Sequence, residues 1–197
     1  YLYCNDNNLT SLDLSKNKQL SKLNCFGNTI SSLDLSQNSQ LEIVRCYKNT
    51  LTKLNINGCN QLTLLHCGEN RLTSLDVSGN TKLERLYCDN NDISKLDVSN
   101  NEQLNMLFCY NNKLSVEAFD DLFCSLPNRK DKEAGKIAPT LNKSSAEKDK
   151  ILSTNGINAI TRNWDVQYYE EEYNISGFKG THQCGGSTGI DETKGLP

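Results

Sequence analysis

The sequence predicts a solenoid: short strands stacked in 21-residue coils, with a helix-containing unit closing the C-terminal end. Three observations predict it. Cysteine recurs at Cys4, Cys25, Cys46, Cys67, Cys88 and Cys109, each 21 residues after the last, and periods of roughly 20 to 50 residues mark chains whose units stack only on their neighbours. Aliphatic residues and asparagine hold a fixed register with those cysteines. After Leu114 the rhythm stops and the apolar spacing becomes helical.

Alignment of the six copies on their cysteines shows what each coil needs. Two residues before the cysteine stand Leu2, Leu23, Val44, Leu65, Leu86 and Leu107; five after it stand Leu9, Ile30, Leu51, Leu72, Ile93 and Leu114. Alternation in Leu-x-Cys points one face of a short strand inward. Three after the cysteine come Asn7, Asn28, Asn49, Asn70, Asn91 and Asn112. There the chain bends inward and leaves backbone groups without strand partners, and an amide side chain carries both the donors and the acceptor they lack. A second half of similar form follows, as in "LTSLDLSKN" and "ISSLDLSQN", closing on Asn17, Asn38, Asn80 or Asn101. Cys59 takes that place in one coil; sulfur bonds hydrogen weakly, so this turn is expected to be less well satisfied.

The strand cysteine occupies the slot filled by Leu14, Leu35, Ile56, Val77 and Val98 in the other half, so it reads as a small buried hydrophobe rather than a metal or redox array. Parallel side chains ~4.8 Å apart miss the Cβ separation of ~3.8 Å that a disulfide prefers, so thiols are expected. Nine cysteines cannot all pair within one chain.

This pattern resembles the leucine-rich repeat family, in particular the short 21-residue bacterial class with nested halves known as IRREKO-type, as in exported proteins of Bacteroides-like bacteria. It covers residues 1–114 of 197, about 5.5 repeats. The resemblance implies a curved, right-handed α/β solenoid that binds partners on its strand surface, exported or at a cell surface, in adhesion or host interaction. The chain opens inside a repeat without a start methionine, so an N-terminal cap and any export signal are expected upstream.

Function is expected where the copies differ. Three columns flank the cysteine and point outward: Tyr1, Lys22, Ile43, Leu64, Arg85 and Met106; then Tyr3, Asn24, Arg45, His66, Tyr87 and Phe108; then Asn5, Phe26, Tyr47, Gly68, Asp89 and Tyr110. Every aromatic residue of the array falls in them. The equivalent second-half column, Asp13, Asp34, Asn55, Asp76 and Asp97, is uniform and small. Tyr, Phe and Arg in one patch have the composition of a binding hot spot. The expected partner-binding residues are Tyr3, Phe26, Arg45, Tyr47, His66, Arg85, Tyr87, Asp89, Phe108 and Tyr110, with a protein or peptide as partner and a glycan as the alternative. Cross-strand packing of the same aromatics is the competing reading.

Residues 115–176 read as an α/β cap. "SVEAFDDLFCSLP" is a helix with Ser115 as N-cap and Pro127 as stop; "KIAPTLN" and "WDVQYY" are strands, separated by a helix broken near Asn155-Gly156. Strand, helix, strand is a crossover unit able to continue a parallel sheet, with Trp164 as its core filler. Residues 177–197 form a Gly-rich tail, expected to be loosely held unless it packs on the cap.

Composition narrows the function further. The array carries 11 basic and 11 acidic side chains and the net charge of the chain is -3, so nucleic acid, which demands a strongly basic face, is not an expected partner. No apolar run approaches the ~20 residues of a membrane span. An enzyme is not expected: His66 and His182 are the only histidines, and the Cys184-His182-Asp191 set lacks a rigid, oriented base. "HxC" supplies two of the four ligands structural zinc needs, and in "DNND" (Asp89 to Asp92) the aligned Asn91 is committed to the bend. No cofactor is expected.

Overall fold

The computed structural model describes residues 1–171 and 174–184. Each of the six cysteine-bearing coils contributes one short strand to a parallel sheet: β1 (Leu2–Tyr3), β2 (Lys22–Asn24), β4 (Ile43–Arg45), β6 (Leu64–His66), β7 (Arg85–Tyr87) and β8 (Met106–Phe108). Register is strictly periodic, with Leu2, Leu23, Val44, Leu65, Leu86 and Leu107 side by side. The cysteines lie one residue past these strands yet still extend the ladder, as where the Cys25 amide donates to the Arg45 carbonyl at 2.9 Å. Among the described residues, the second halves pair as strands only once, between β3 (Ser32–Asp34) and β5 (Lys53–Asn55). The two sides of the solenoid therefore differ. One is a continuous sheet, the other mostly a stack of extended turns.

The core is a narrow apolar column in which Cys25, Cys46, Cys67, Cys88 and Cys109 are fully buried beside leucines. All are thiols. Burial pushes the Cys25 thiol up to about 12 and raises Cys46, Cys67, Cys88 and Cys109 as well, which suppresses the thiolate that oxidation and metal binding require.

The asparagines form two unequal ladders. In the first, Asn49 donates to the carbonyls of Cys25 in the preceding coil (3.0 Å) and Cys46 in its own (3.2 Å), while its oxygen accepts from the Ile30 amide at 3.0 Å. Asn28, Asn70, Asn91 and Asn112 repeat this. The residue before each ladder asparagine (Asp6, Gly27, Lys48, Glu69, Asn90 or Asn111) holds a left-handed backbone, φ between 52° and 64°. In the second ladder Asn38 and Asn101 only donate, and their buried side-chain oxygens have no partner. Cys59 fits there because it forfeits little: its Sγ donates to the Leu35 carbonyl at 3.3 Å, one of the two bonds an asparagine makes.

The C-terminal unit continues the sheet. Helix α1 (Val116–Ser125) starts where Ser115 Oγ accepts from the Ala118 amide at 3.1 Å. β9 (Gly135–Thr140) then pairs in parallel with β8, aligning Ile137 with Leu107. Helices α2 (Lys148–Leu152) and α3 (Ile157–Ile160) flank the break at Gly156, and β10 (Trp164–Tyr168) pairs with β9. Pro139 lacks the amide a regular ladder needs, and the register slips opposite it. Trp164 is buried against Gly135, its indole donating to the Pro127 carbonyl at 2.9 Å.

Two charged side chains stand in for the missing next coil. Elsewhere the amides of Asn90 and Asn91 donate to the following coil; at the last coil the amides of Asn111 and Asn112 donate to the buried carboxylate of Glu147 at 2.8 and 3.3 Å. Lys150 donates to the Leu114 carbonyl at 2.9 Å, as a backbone amide does in earlier coils. Burial holds the Glu147 carboxyl above the usual range despite those amides and Lys150.

The first residues of the Gly-rich tail are packed rather than loose. Phe178 covers Gly156, the amides of Lys179 and Gly180 donate to Leu152 and Thr154, and Cys184 is disulfide-bonded to Cys124 of α1. That bond spans 60 residues and ties the start of the tail to α1. Residues 185–197, including Asp191, lie outside the described residues.

Candidate functional site

The outward columns of the sheet carry a continuous rib of rings. Phe26 stacks on Tyr47 (centroids 4.4 Å, planes 10° apart) and Tyr47 on His66 (4.1 Å, 19°). His66 then meets Tyr87 at 5.1 Å, Tyr87 meets Phe108 edge-on at 5.1 Å, and Phe108 meets Tyr169 edge-on at 5.2 Å. Within each column parallel register sets this spacing, since strands ~4.8 Å apart put equivalent side chains at ring-stacking distance.

The rib changes column halfway. Phe26 and Tyr47 follow their cysteines, whereas His66, Tyr87 and Phe108 precede theirs. Gly68 marks the step: a Cβ there would lie 2.9 Å from the Asp89 carboxylate, which fills the space. Asp89 is thereby buried, accepting from the Asn90 amide group at 2.8 Å and hydrogen-bonded with the Tyr110 hydroxyl.

Tyr110 is only 6% exposed, tucked against Tyr169 with centroids 4.7 Å apart. Neither Asp89 nor Tyr110 lines an open surface, which corrects their place among the expected contact residues. Their outward-facing position in the pattern is real, but β10 brings Tyr169 over the last coil. Tyr3 is 63% exposed and Arg85 is exposed, while Phe26, Arg45, Tyr47, His66, Tyr87 and Phe108 are half-buried by one another. Tyr169, 41% exposed, is the residue the repeat pattern missed; the doublet at the end of "WDVQYY" was its only signal.

Chemistry at this surface is muted. Burial lowers the His66 pKa, opposed by Asp89 and assisted by Arg45 and Lys48, which favours the neutral ring. The Tyr87 hydroxyl is spent on Met106 Sδ at 3.0 Å. A cleft of about 390 Å³ opens at the end of the rib between Met106, Phe108, Lys136, Gln167 and Tyr169. On the opposite side Asp13, Asp34, Asp76 and Asp97 each accept from the amide two residues on, closing small polar turns. The sulfur of Cys184 is bonded to Cys124 and is no free nucleophile for a pair with His182, whose backbone carbonyl accepts from the side chains of Asn155 and Asn158. No helix among the described residues is long and apolar enough to cross a membrane.

No protein-family model matches the chain, and no curated protein matches it. Solved structures do. A leucine-rich-repeat protein of Leptospira interrogans aligns over 85% of the chain with TM-score 0.59 and 20% identity, and the internalin InlF of Listeria monocytogenes over 58% with TM-score 0.51 and 22% identity. The functional domain of InlJ from Listeria monocytogenes, described as including a cysteine ladder, aligns over 89% with 27% identity and TM-score 0.49. The chain spans 42%, 36% and 45% of those chains, less than half of each. The fold is therefore that of a leucine-rich-repeat solenoid, similar to bacterial proteins of that architecture.

Proposed function

We propose that the chain is a non-enzymatic recognition module that binds a protein or peptide across the strand face. The observation that carries this reading is the rib from Phe26 to Tyr169. It concentrates large, rigid rings in one stripe of an otherwise polar solenoid, the composition of a hot spot. Tyr3, Phe26, Arg45, Tyr47, His66, Arg85, Tyr87 and Phe108 are the proposed contact residues, joined by Tyr169.

Ring orientation favours protein over glycan. Both faces of Tyr47 are covered, by Phe26 and His66, so this part of the rib offers edges where a sugar ring needs an open face. Tyr3 is more exposed and keeps the glycan reading alive at one end. A place outside the cytoplasm, at a cell surface in adhesion or host interaction, is supported by the Cys124–Cys184 disulfide; the buried ladder thiols coexist with it because they are sealed from oxidants. Membership of the Bacteroides-like IRREKO-type class rests on the 21-residue nested pattern alone.

The test is capture from bacterial-surface and host extracts, followed by elution with free monosaccharides and, separately, protease treatment of the extract. Loss of the partner on proteolysis with no elution by sugars is expected. Elution by a sugar makes the chain a lectin.

A further inference from the structure

Building on the strand-face reading above, we infer that this face selects an acidic, extended segment of a protein partner. Charge on the three outward columns is lopsided. Over six coils they contain Lys22, Arg45 and Arg85 and one carboxylate, Asp89, although the whole chain holds 24 acidic against 21 basic side chains. Asp89 is buried and engaged with Asn90 and Tyr110, so it presents no negative surface. The array's open strand face is left with cations only.

The rings add to that field. An aromatic ring is negative on its faces and positive at its edge. Tyr47 has both faces occupied, so what it turns to a partner is its positive rim. The Tyr47 rim and the cations thus favour the same partner group, a carboxylate.

The rims set the width of the stripe. Glu42 and Glu84, directly before β4 and β7, are exposed along one edge, and the Lys48–Glu69 pair, 3.9 Å apart, lies along the other. A broad acidic surface meets repulsion at Glu42 and Glu84; a single strand-like segment laid across the strands does not. Lys22 on β2 and Arg85 on β7 are three strand steps apart, roughly 14 Å at sheet spacing. Acidic residues about four positions apart in an extended segment, at ~3.3 Å each, reach both.

The experiment uses a random copolymer of glutamate and tyrosine as probe, with polylysine as control and heparin as the sulfated-glycan competitor, at low and at physiological ionic strength. The wild-type chain is expected to bind the copolymer in a salt-sensitive manner. The Arg45→Glu, Arg85→Glu double variant is expected to bind at least about tenfold more weakly, with Arg45→Gln, Arg85→Gln in between. The glutamine pair carries the test should the reversal variant lose its circular dichroism spectrum. Three results overturn the inference: no binding of copolymer by the folded wild type, unchanged affinity in the charge variants, or tighter binding of heparin than of copolymer. If a Tyr3→Ser, Tyr47→Ser, Tyr87→Ser variant loses a captured partner that the charge variants keep, strand-face recognition stands and the acidic identity falls.

Discussion

Replacing Asn49 by cysteine and, separately, Asn101 by cysteine sets the two asparagine ladders against each other. At Asn49 the side-chain oxygen accepts the buried Ile30 amide, and cysteine has no acceptor of comparable strength. Orphaning that donor costs about 1–3 kcal/mol. The donated bonds to Cys25 and Cys46 are also lost, but each carbonyl keeps a second asparagine, Asn28 and Asn70 respectively, so they add only about 1 kcal/mol together. A total near 3 kcal/mol is expected. At Asn101 the side-chain oxygen already lacks a partner, and the carbonyls of Val77 and Asn80 keep the backbone amides of Asn80 and Leu83. Cysteine there, as Cys59 already does naturally, restores one weak bond, so the change is expected to stay within about 1 kcal/mol. Urea unfolding followed by circular dichroism measures both, with the slope checked because solenoids can lose cooperativity. Equal costs at the two positions would refute the division of the ladders.

Other predictions follow from the C-terminal unit and the rib. Reducing the Cys124–Cys184 bond, which closes a 60-residue span, is expected to cost about 4 kcal/mol and to lower the thermal midpoint, while the buried thiols stay unlabelled by a thiol reagent until the solenoid unfolds. Glu147→Ala removes the acceptor from two amides of the last coil and is expected to destabilise by about 2–4 kcal/mol, read by urea unfolding. The raised pKa of Glu147 means the folded state holds its proton more tightly than the unfolded one. Its contribution therefore falls as pH rises from the ordinary carboxylate range through the folded value, and Glu147→Gln should remove that slope. His66 has the opposite linkage: its pKa is lowered on folding, so stability is full above the unfolded value of about 6.5 and declines as pH falls below it. His66→Phe, which keeps the ring, should flatten that decline in melts recorded across the same range.

Much of the solenoid was legible because one physical requirement repeats in every coil. Leu23, Cys25, Asn28 and Ile30 each do one job, and six copies make the job visible. The inequality of the two asparagine ladders was not legible, since it depends on whether a neighbouring amide points at the side-chain oxygen. What lies outside the repeat was harder still. The Cys124–Cys184 pair, the Glu147 carboxylate over Asn111 and Asn112, and the burial of Tyr110 by Tyr169 all arise from segments far apart in sequence, brought together by the crossover of β9 and β10. On the strand face the pattern marked the columns, and only the geometry showed that Tyr47 offers its edge and that Asp89 is withdrawn.

The measurement that bears most directly on strand-face recognition is side-by-side capture of a partner by three folded chains. These are the wild type, the Tyr3→Ser, Tyr47→Ser, Tyr87→Ser variant, and an opposite-side variant with Asp13→Ser, Asp76→Ser and Asp97→Ser. A partner held by the wild type and the opposite-side variant but lost by the strand-face variant is the expected result. A partner kept by the strand-face variant and lost by the opposite-side one would contradict it.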